Sequence, residues 1–230
     1  MRRRFPTVVV TSAATLAVLT GCSGTGGSSP AAAPDAFDPA QAAAKAGKDP
    51  YAVSVTVTGG PGGTSLTARQ NLNTVYTGHR EQKAPDGSTL EFVDTADAEY
   101  VRGHDATGKW LRTPRSAGPA QIDFTGFTPL LLAQGSAARK GMEHRDGVPV
   151  YHLSGHLDLE QGAGVLPALY QTLKSKGVPG FDLDQWIDAQ GRTRYVEQGV
   201  VLDGARTVVK YVFSDFGPAE TFAAPDTNVA

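Results

Sequence analysis

The feature that most constrains this chain is a period-2 alternation cut by short turns. In Tyr51 to Thr58, Val53, Val55 and Val57 point one way while Ser54, Thr56 and Thr58 point the other, the signature of a half-buried strand. Gly59-Gly60-Pro61-Gly62-Gly63 follows as a turn, and Ser65 to Leu72 reads as the return strand. Further strands are expected at Thr89 to Asp94, Glu99 to Arg102 and Lys109 to Thr113, with Asp86-Gly87 and Thr107-Gly108 in the joints. A second set covers Val148 to Leu157, Phe181 to Ala189, Thr193 to Leu202 and Arg206 to Phe213, turning at Gln190-Gly191-Arg192 and Asp203-Gly204. Joints this short pair consecutive strands antiparallel. Two helices interrupt this pattern. One starts at Thr128 as N-cap with Pro129 in the first turn. The other spans Val165 to Lys176, where Leu166, Leu169, Tyr170 and Leu173 make one apolar stripe and Gly177 stops it. The order strands, helices, strands predicts an α+β fold, a strongly curved antiparallel sheet with its helices gathered on one face.

The chain has a single cysteine, and it is not placed for a disulfide. Cys22 ends the run Leu19-Thr20-Gly21-Cys22, after the basic start Arg2-Arg3-Arg4 and an apolar stretch from Val8 to Leu19. That layout is an export signal with small residues at the cleavage point. The four-residue box resembles the lipobox of bacterial lipoproteins, which implies cleavage between Gly21 and Cys22 and a diacylglyceryl group on the cysteine sulfur. A plain secretory signal with a chance cysteine is the competing reading. Arg2-Arg3-Arg4-Phe5 suits either general or twin-arginine export. The apolar stretch is far shorter than the roughly 20 residues that cross a bilayer as a helix, so lipid is the expected anchor. Residues 1–21 are thus expected as signal and 22–50, rich in Gly, Ser, Pro and Ala, as a flexible tether with room for a helical turn in its alanine-rich part, Ala40 to Ala46. One folded domain is expected over 51–225, and 226–230 as a tail.

Losing residues 1–21 removes three arginines and no acids, moving the formal charge from −2 to about −5. That balance offers no footprint for nucleic acid. Within the folded part, His152-x-Ser154-x-His156-x-Asp158 is the run most open to a metal or catalytic reading. At about 3.3 Å per residue, His152 and His156 stand about 13 Å apart on a strand. Zinc needs each nitrogen at about 2.0–2.1 Å, so this strand alone cannot supply both. His104-Asp105 and His144-Arg145-Asp146 sit in turn contexts. No nucleophile elbow, phosphate loop or metal-spaced cysteine set is present. No enzyme, cofactor or metal is therefore expected. In the last strand Val209, Tyr211 and Phe213 point one way, and Val208 and Val212 the other. Such a strand is packed on both faces or lines a cavity, which makes Val209, Tyr211 and Phe213 candidate cavity-lining residues.

The second half also carries a resemblance. Gly141 to Gly155 (GMEHRDGVPVYHLSG) is similar to the G-x-E-x-x-D-G-V-x-x-x-H-x-x-G strand pair of actinobacterial lipoproteins. Trp186-Ile187-Asp188-Ala189-Gln190-Gly191-Arg192 resembles their W-I-D-x-x-G-R hairpin, and Phe213-Ser214-Asp215-Phe216-Gly217 their Y-S-D-F-G segment before a closing Ala-Pro, here Ala224-Pro225. The first half matches only in outline, through Gly108 to Arg112. This family is similar to the mycobacterial LppX/LprG-type lipoproteins and, more distantly, to the LolA-like carriers. The resemblance implies an open half-barrel with helices on its concave face, some of whose members hold acyl chains. It implies a lipid or other apolar ligand in the cell envelope, on the extracytoplasmic side of the membrane. An envelope protein partner with no small-molecule ligand is the alternative.

Overall fold

The structure, a computed structural model, describes residues 37–103, 108–115 and 122–227. The signal, Gly21, Cys22, the first part of the expected tether and His104-Asp105 lie outside them. The chain from Phe37 onward forms one compact unit. It holds helices α1 (Pro39–Ala46), α2 (Phe127–Leu132), α3 (Leu159–Gly162) and α4 (Pro167–Ser175). Its strands are β1 (Tyr51–Thr58), β2 (Ser65–Leu72), β3 (Gly78–Lys83), β4 (Thr89–Asp94), β5 (Ala98–Gly103), β6 (Leu111–Pro114), β7 (Arg139–Arg145), β8 (Val148–Asp158), β9 (Gly180–Ile187), β10 (Thr193–Leu202) and β11 (Ala205–Pro218).

All eleven strands make one curved, unclosed sheet in the order β6-β5-β4-β3-β2-β1-β11-β10-β9-β8-β7. It is two antiparallel meanders joined where the first strand meets the last, Val55 opposite Phe213 and Val57 opposite Tyr211. The inner face can be followed by register. Phe213, Val55, Ala68, Arg80 and Phe92 form one row across five strands, so Arg80 faces the same side as the buried valines. On the other half of that face Val53, Leu153, Leu157, Phe181, Leu183 and Val196 share one buried cluster with Phe127 and Leu131 of α2, Leu159 of α3 and Leu173 of α4.

Several expectations shift, each for a visible reason. The folded unit begins at Phe37 rather than Tyr51. Asp38 caps α1 by accepting from the amides of Ala40 and Gln41, Pro39 and Ala43 are buried, and Phe37 meets the ring of Tyr151 at 5.4 Å. Gly191 makes this docking feasible: its φ is +80°, and a Cβ there would overlap the Ala42 carbonyl. Thr128 is not the N-cap of α2, because its hydroxyl donates to Gln185 Oε1 at 3.0 Å and Gly126 takes the cap position. Helix α4 starts at Pro167 because Pro holds Leu166 out of helical geometry, at φ −122° and ψ 43°. Strand β11 extends to Pro218 past a bulge at Asp215, which takes φ 50° where two residues oppose one of β1. Its outer side stays uncovered at Val212, which is exposed.

Gln185 ties the interhelical segment to the sheet. This fully buried side chain donates to the Phe124 carbonyl at 2.7 Å and to Thr193 Oγ1 at 2.9 Å, besides accepting from Thr128. Replacing it by leucine keeps the volume and strands the Phe124 and Thr128 groups, at about 1–3 kcal/mol each. Urea unfolding of Gln185→Leu should therefore show a lower midpoint at unchanged slope. A loss below about 0.5 kcal/mol, the range of ordinary surface changes, would refute the anchoring role.

Candidate functional site

Beside the Gln185 anchor, the Ile122–Phe124 stretch forms a wall between two adjoining cavities. The larger, about 980 Å³, lies under α1, the turn after β2 and the start of α2. The smaller, about 490 Å³, lies against the inner face of the first meander. Tyr76, Arg115, Ile122 and Phe124 line both. These volumes fall within the roughly 300–1,000 Å³ of small-molecule sites. The larger space survives because α1 presents only Ala40, Ala43, Ala44 and Gly47 to it, side chains too small to fill it. Asn73 holds the exit of α1 in place, its Nδ2 donating to the carbonyls of Ala46 at 2.7 Å and Asp49 at 3.1 Å.

The smaller cavity has two chemically different sides. Val55 and Val57 of β1, Leu66 of β2, Phe124 and Tyr211 supply the apolar side. Phe124 is itself fixed by edge-on contacts to Tyr211 at 5.1 Å and Phe213 at 4.8 Å. The other side carries Gln70, Arg80, Asp94, Glu99 and Arg115. Asp94, with 2% of its side chain exposed, bridges two guanidiniums: Arg80 Nε at 3.1 Å and Arg115 Nη2 at 2.9 Å. Arg80 also pairs with Glu99, and Arg115 donates to the Tyr76 carbonyl at 2.7 Å. Arg80 lies over the Phe92 ring at 3.9 Å, and Arg115 over Tyr76 at 5.3 Å. Burial pushes the Tyr76 and Tyr211 phenols up to about 12, so both stay neutral donors.

The residues singled out in the sequence divide. Tyr211 lines the smaller cavity. Phe213 is buried behind Phe124, and Val209 lines neither of the two cavities. His152 and His156 face outward onto different carboxylates, Asp184 at 2.8 Å and Asp182 at 2.9 Å. His152 stacks on Trp186 with ring centres 4.4 Å apart, and its bond to Asp184 holds that carboxyl below the usual carboxylate range. No group of three or more His, Cys, Asp or Glu side chains suited to a metal is found among the described residues. Nor is any helix there long and apolar enough to cross a membrane. The Arg80–Asp94–Arg115 bridge escaped the sequence reading because its members come from β3, β4 and the end of β6, with no common spacing.

No protein-family model matches this chain, and no curated protein matches it. Solved structures do. LprF from Mycobacterium bovis matches 84% of this chain and 98% of its own at a TM-score of 0.50 and 20% identity. The lipoprotein LppX from Mycobacterium tuberculosis matches 80% and 94% at a TM-score of 0.46 and 14% identity. An uncharacterized conserved protein from Thermus thermophilus matches 83% and 96% at a TM-score of 0.43 and 12% identity.

Removing the shared acid tests the bridge. Asp94→Ala leaves two guanidiniums facing each other in a buried site and should cost about 3–5 kcal/mol in urea unfolding. Adding Arg115→Ala should recover part of that loss, and strictly additive losses would mean the two side chains do not interact. At the level of the fold, the resemblance read in residues 141–225 is met: the chain has the LprF-like fold expected of an LppX/LprG-type lipoprotein.

Proposed function

We propose that this protein is a lipid-anchored carrier of the cell envelope, non-enzymatic, which holds a lipid or another apolar molecule between its half-barrel sheet and the segments and helices on the concave face. The observation that carries this reading is the pair of adjoining cavities walled by Phe124, whose combined lining offers Val55, Val57, Leu66, Leu72, Ile122 and Tyr211 to an acyl chain. Each methylene moved from water into such a lining contributes about 0.8 kcal/mol, so a chain of ordinary length is retained without covalent chemistry. The LprF-like fold supports the reading, because it is an open sheet with room on one face. The lipobox ending in Cys22 supplies the address: diacylglyceryl on that sulfur, after cleavage behind Gly21, holds the domain on the extracytoplasmic face of the membrane. About 15 residues separate Cys22 from Phe37, a span of at most about 50 Å, so the tether keeps α1 and the cavity it walls within reach of the bilayer.

Two experiments test these claims separately. Organic extraction of the purified protein followed by mass spectrometry should recover a co-purified lipid, and Leu66→Trp, which fills the smaller cavity, should reduce the amount severalfold. A lipid-free protein that also fails to bind N-phenyl-1-naphthylamine would sink the carrier reading. For the anchor, metabolic labelling with an alkynyl fatty acid should mark the wild type and spare Cys22→Ser. Equal labelling of both would show that the lipid is elsewhere.

A further inference from the structure

The carrier reading leaves open which head group the site accepts, and the inner face of the first meander bears on that. Where β1 and β2 present Val55, Val57 and Leu66, the neighbouring strands present Arg80, Asp94 and Glu99, and Arg115 enters from the end of β6. We propose that these four side chains make the smaller cavity selective for an acyl amphiphile with an uncharged head bearing hydroxyl or ester oxygens, and that they exclude fatty acids and anionic phospholipids.

Charge balance sets this selectivity, which rests on the lipid-carrier reading. Two guanidiniums meet two carboxylates, and both oxygens of Asp94 are already held, one by each arginine. The site therefore has hydrogen-bonding capacity and no net charge. An anionic head reaching Arg80 and Arg115 must lie beside Asp94, or displace it and leave a carboxylate that is only 2% exposed without its partners. Both routes are unfavourable, and a cationic head meets the same difficulty at the arginines. A hydroxyl can donate to a carboxylate and accept from a guanidinium without disturbing the balance, and an ester carbonyl can accept. The neutral side chains nearby match this. The Tyr76 hydroxyl donates to Gln70 Oε1 at 3.3 Å, and both residues line the cavity. The larger cavity adds one charge of each sign, Lys48 and Asp123.

The test compares heads on one tail. The full chain carrying Cys22→Ser is loaded with N-phenyl-1-naphthylamine, which is then displaced by mono-oleoylglycerol, oleate or lyso-oleoyl phosphatidylglycerol at about pH 8, where oleate is ionised. Mono-oleoylglycerol should displace the probe at about tenfold lower concentration than either anion, a difference of about 1.4 kcal/mol. Glu99, whose side chain is 39% exposed, tolerates the isosteric change Glu99→Gln, which removes one negative charge and leaves Arg80 partly uncompensated. That variant should move the ratio about tenfold towards oleate. Anions that match mono-oleoylglycerol in the wild type would overturn the proposal, whatever the variant does, and so would an unchanged ratio in Glu99→Gln. Failure of the probe and of all three lipids to bind would instead overturn the carrier reading on which the proposal stands.

Discussion

The arrangement depends on one buried amide. Gln185 sits near the C-terminal end of β9, facing inward, and its three hydrogen bonds reach the Phe124 carbonyl, the Thr128 hydroxyl and the Thr193 hydroxyl. Each bond contributes only about 1 kcal/mol net, but an unpaired partner in this core would cost more, so the bonds act mainly by excluding alternatives. What they select is the path of residues 122–128 across the sheet. With Phe124 held there, its ring packs on Tyr211, Phe127 and Phe213, and the chain before it becomes a partition. An apolar residue at position 185 would fill the same volume without specifying that path. The cavities are therefore a consequence of a polar contact placed beside an apolar core.

The two meanders use the same sheet differently. In the second, the inner face meets α2, α3 and α4 through Leu131, Leu159 and Leu173, and the space closes. In the first, apolar positions give way to Arg80, Asp94 and Glu99, while Leu90 and Leu111 remain exposed. A sheet whose inner face changes from aliphatic to ionic within three strands cannot be sealed by one kind of cover. Space persists at that boundary, and α1 roofs part of it with alanines instead of filling it.

Much of this was legible beforehand. Strands β1, β2, β4 and β10 fall where the alternation and turn residues put them, because their joints carry glycine or aspartate. The helical stripe of Leu166, Leu169, Tyr170 and Leu173 meets the core as its spacing requires. Three elements are not legible from the apolar pattern alone, for physical reasons. Strand β7 is a largely exposed edge with no apolar alternation to show, and only the family resemblance over Gly141 to Gly155 points to it. Helix α1 shows only as an alanine-rich turn over Ala40 to Ala46, and its docking depends on a close approach to Gly191 that lies about 150 residues away. The short helix α3 carries Gln161, whose side chain accepts from the Asp158 amide, an Asp-x-x-Gln signature that the strong strand before it hid.

The remaining omission, β3, connects legibility with function. Its sequence, Gly78-His79-Arg80-Glu81-Gln82-Lys83, lacks a large apolar residue, so no hydrophobic period reveals it. The period is present in chemistry of a different kind: Arg80 points inward to Asp94, while His79 pairs with Glu91 on the outer side. Similar residue types occur on the outer face of the second meander, where Arg145 pairs with Glu197 and Lys210 lies 3.4 Å from the same carboxylate. Pairs that remain open to water contribute about 0–1 kcal/mol and are common on sheet surfaces. The inner pairs are different because Asp94 is withdrawn from water, and a buried ionic group is weak evidence for stability. A strand that gives up its apolar inner face weakens the core there without an evident structural return. Where local pattern and global fold disagree in this way, a binding site is the expected cause. The position that the alternation rule fails to find is thus the position on which the proposed ligand selection rests.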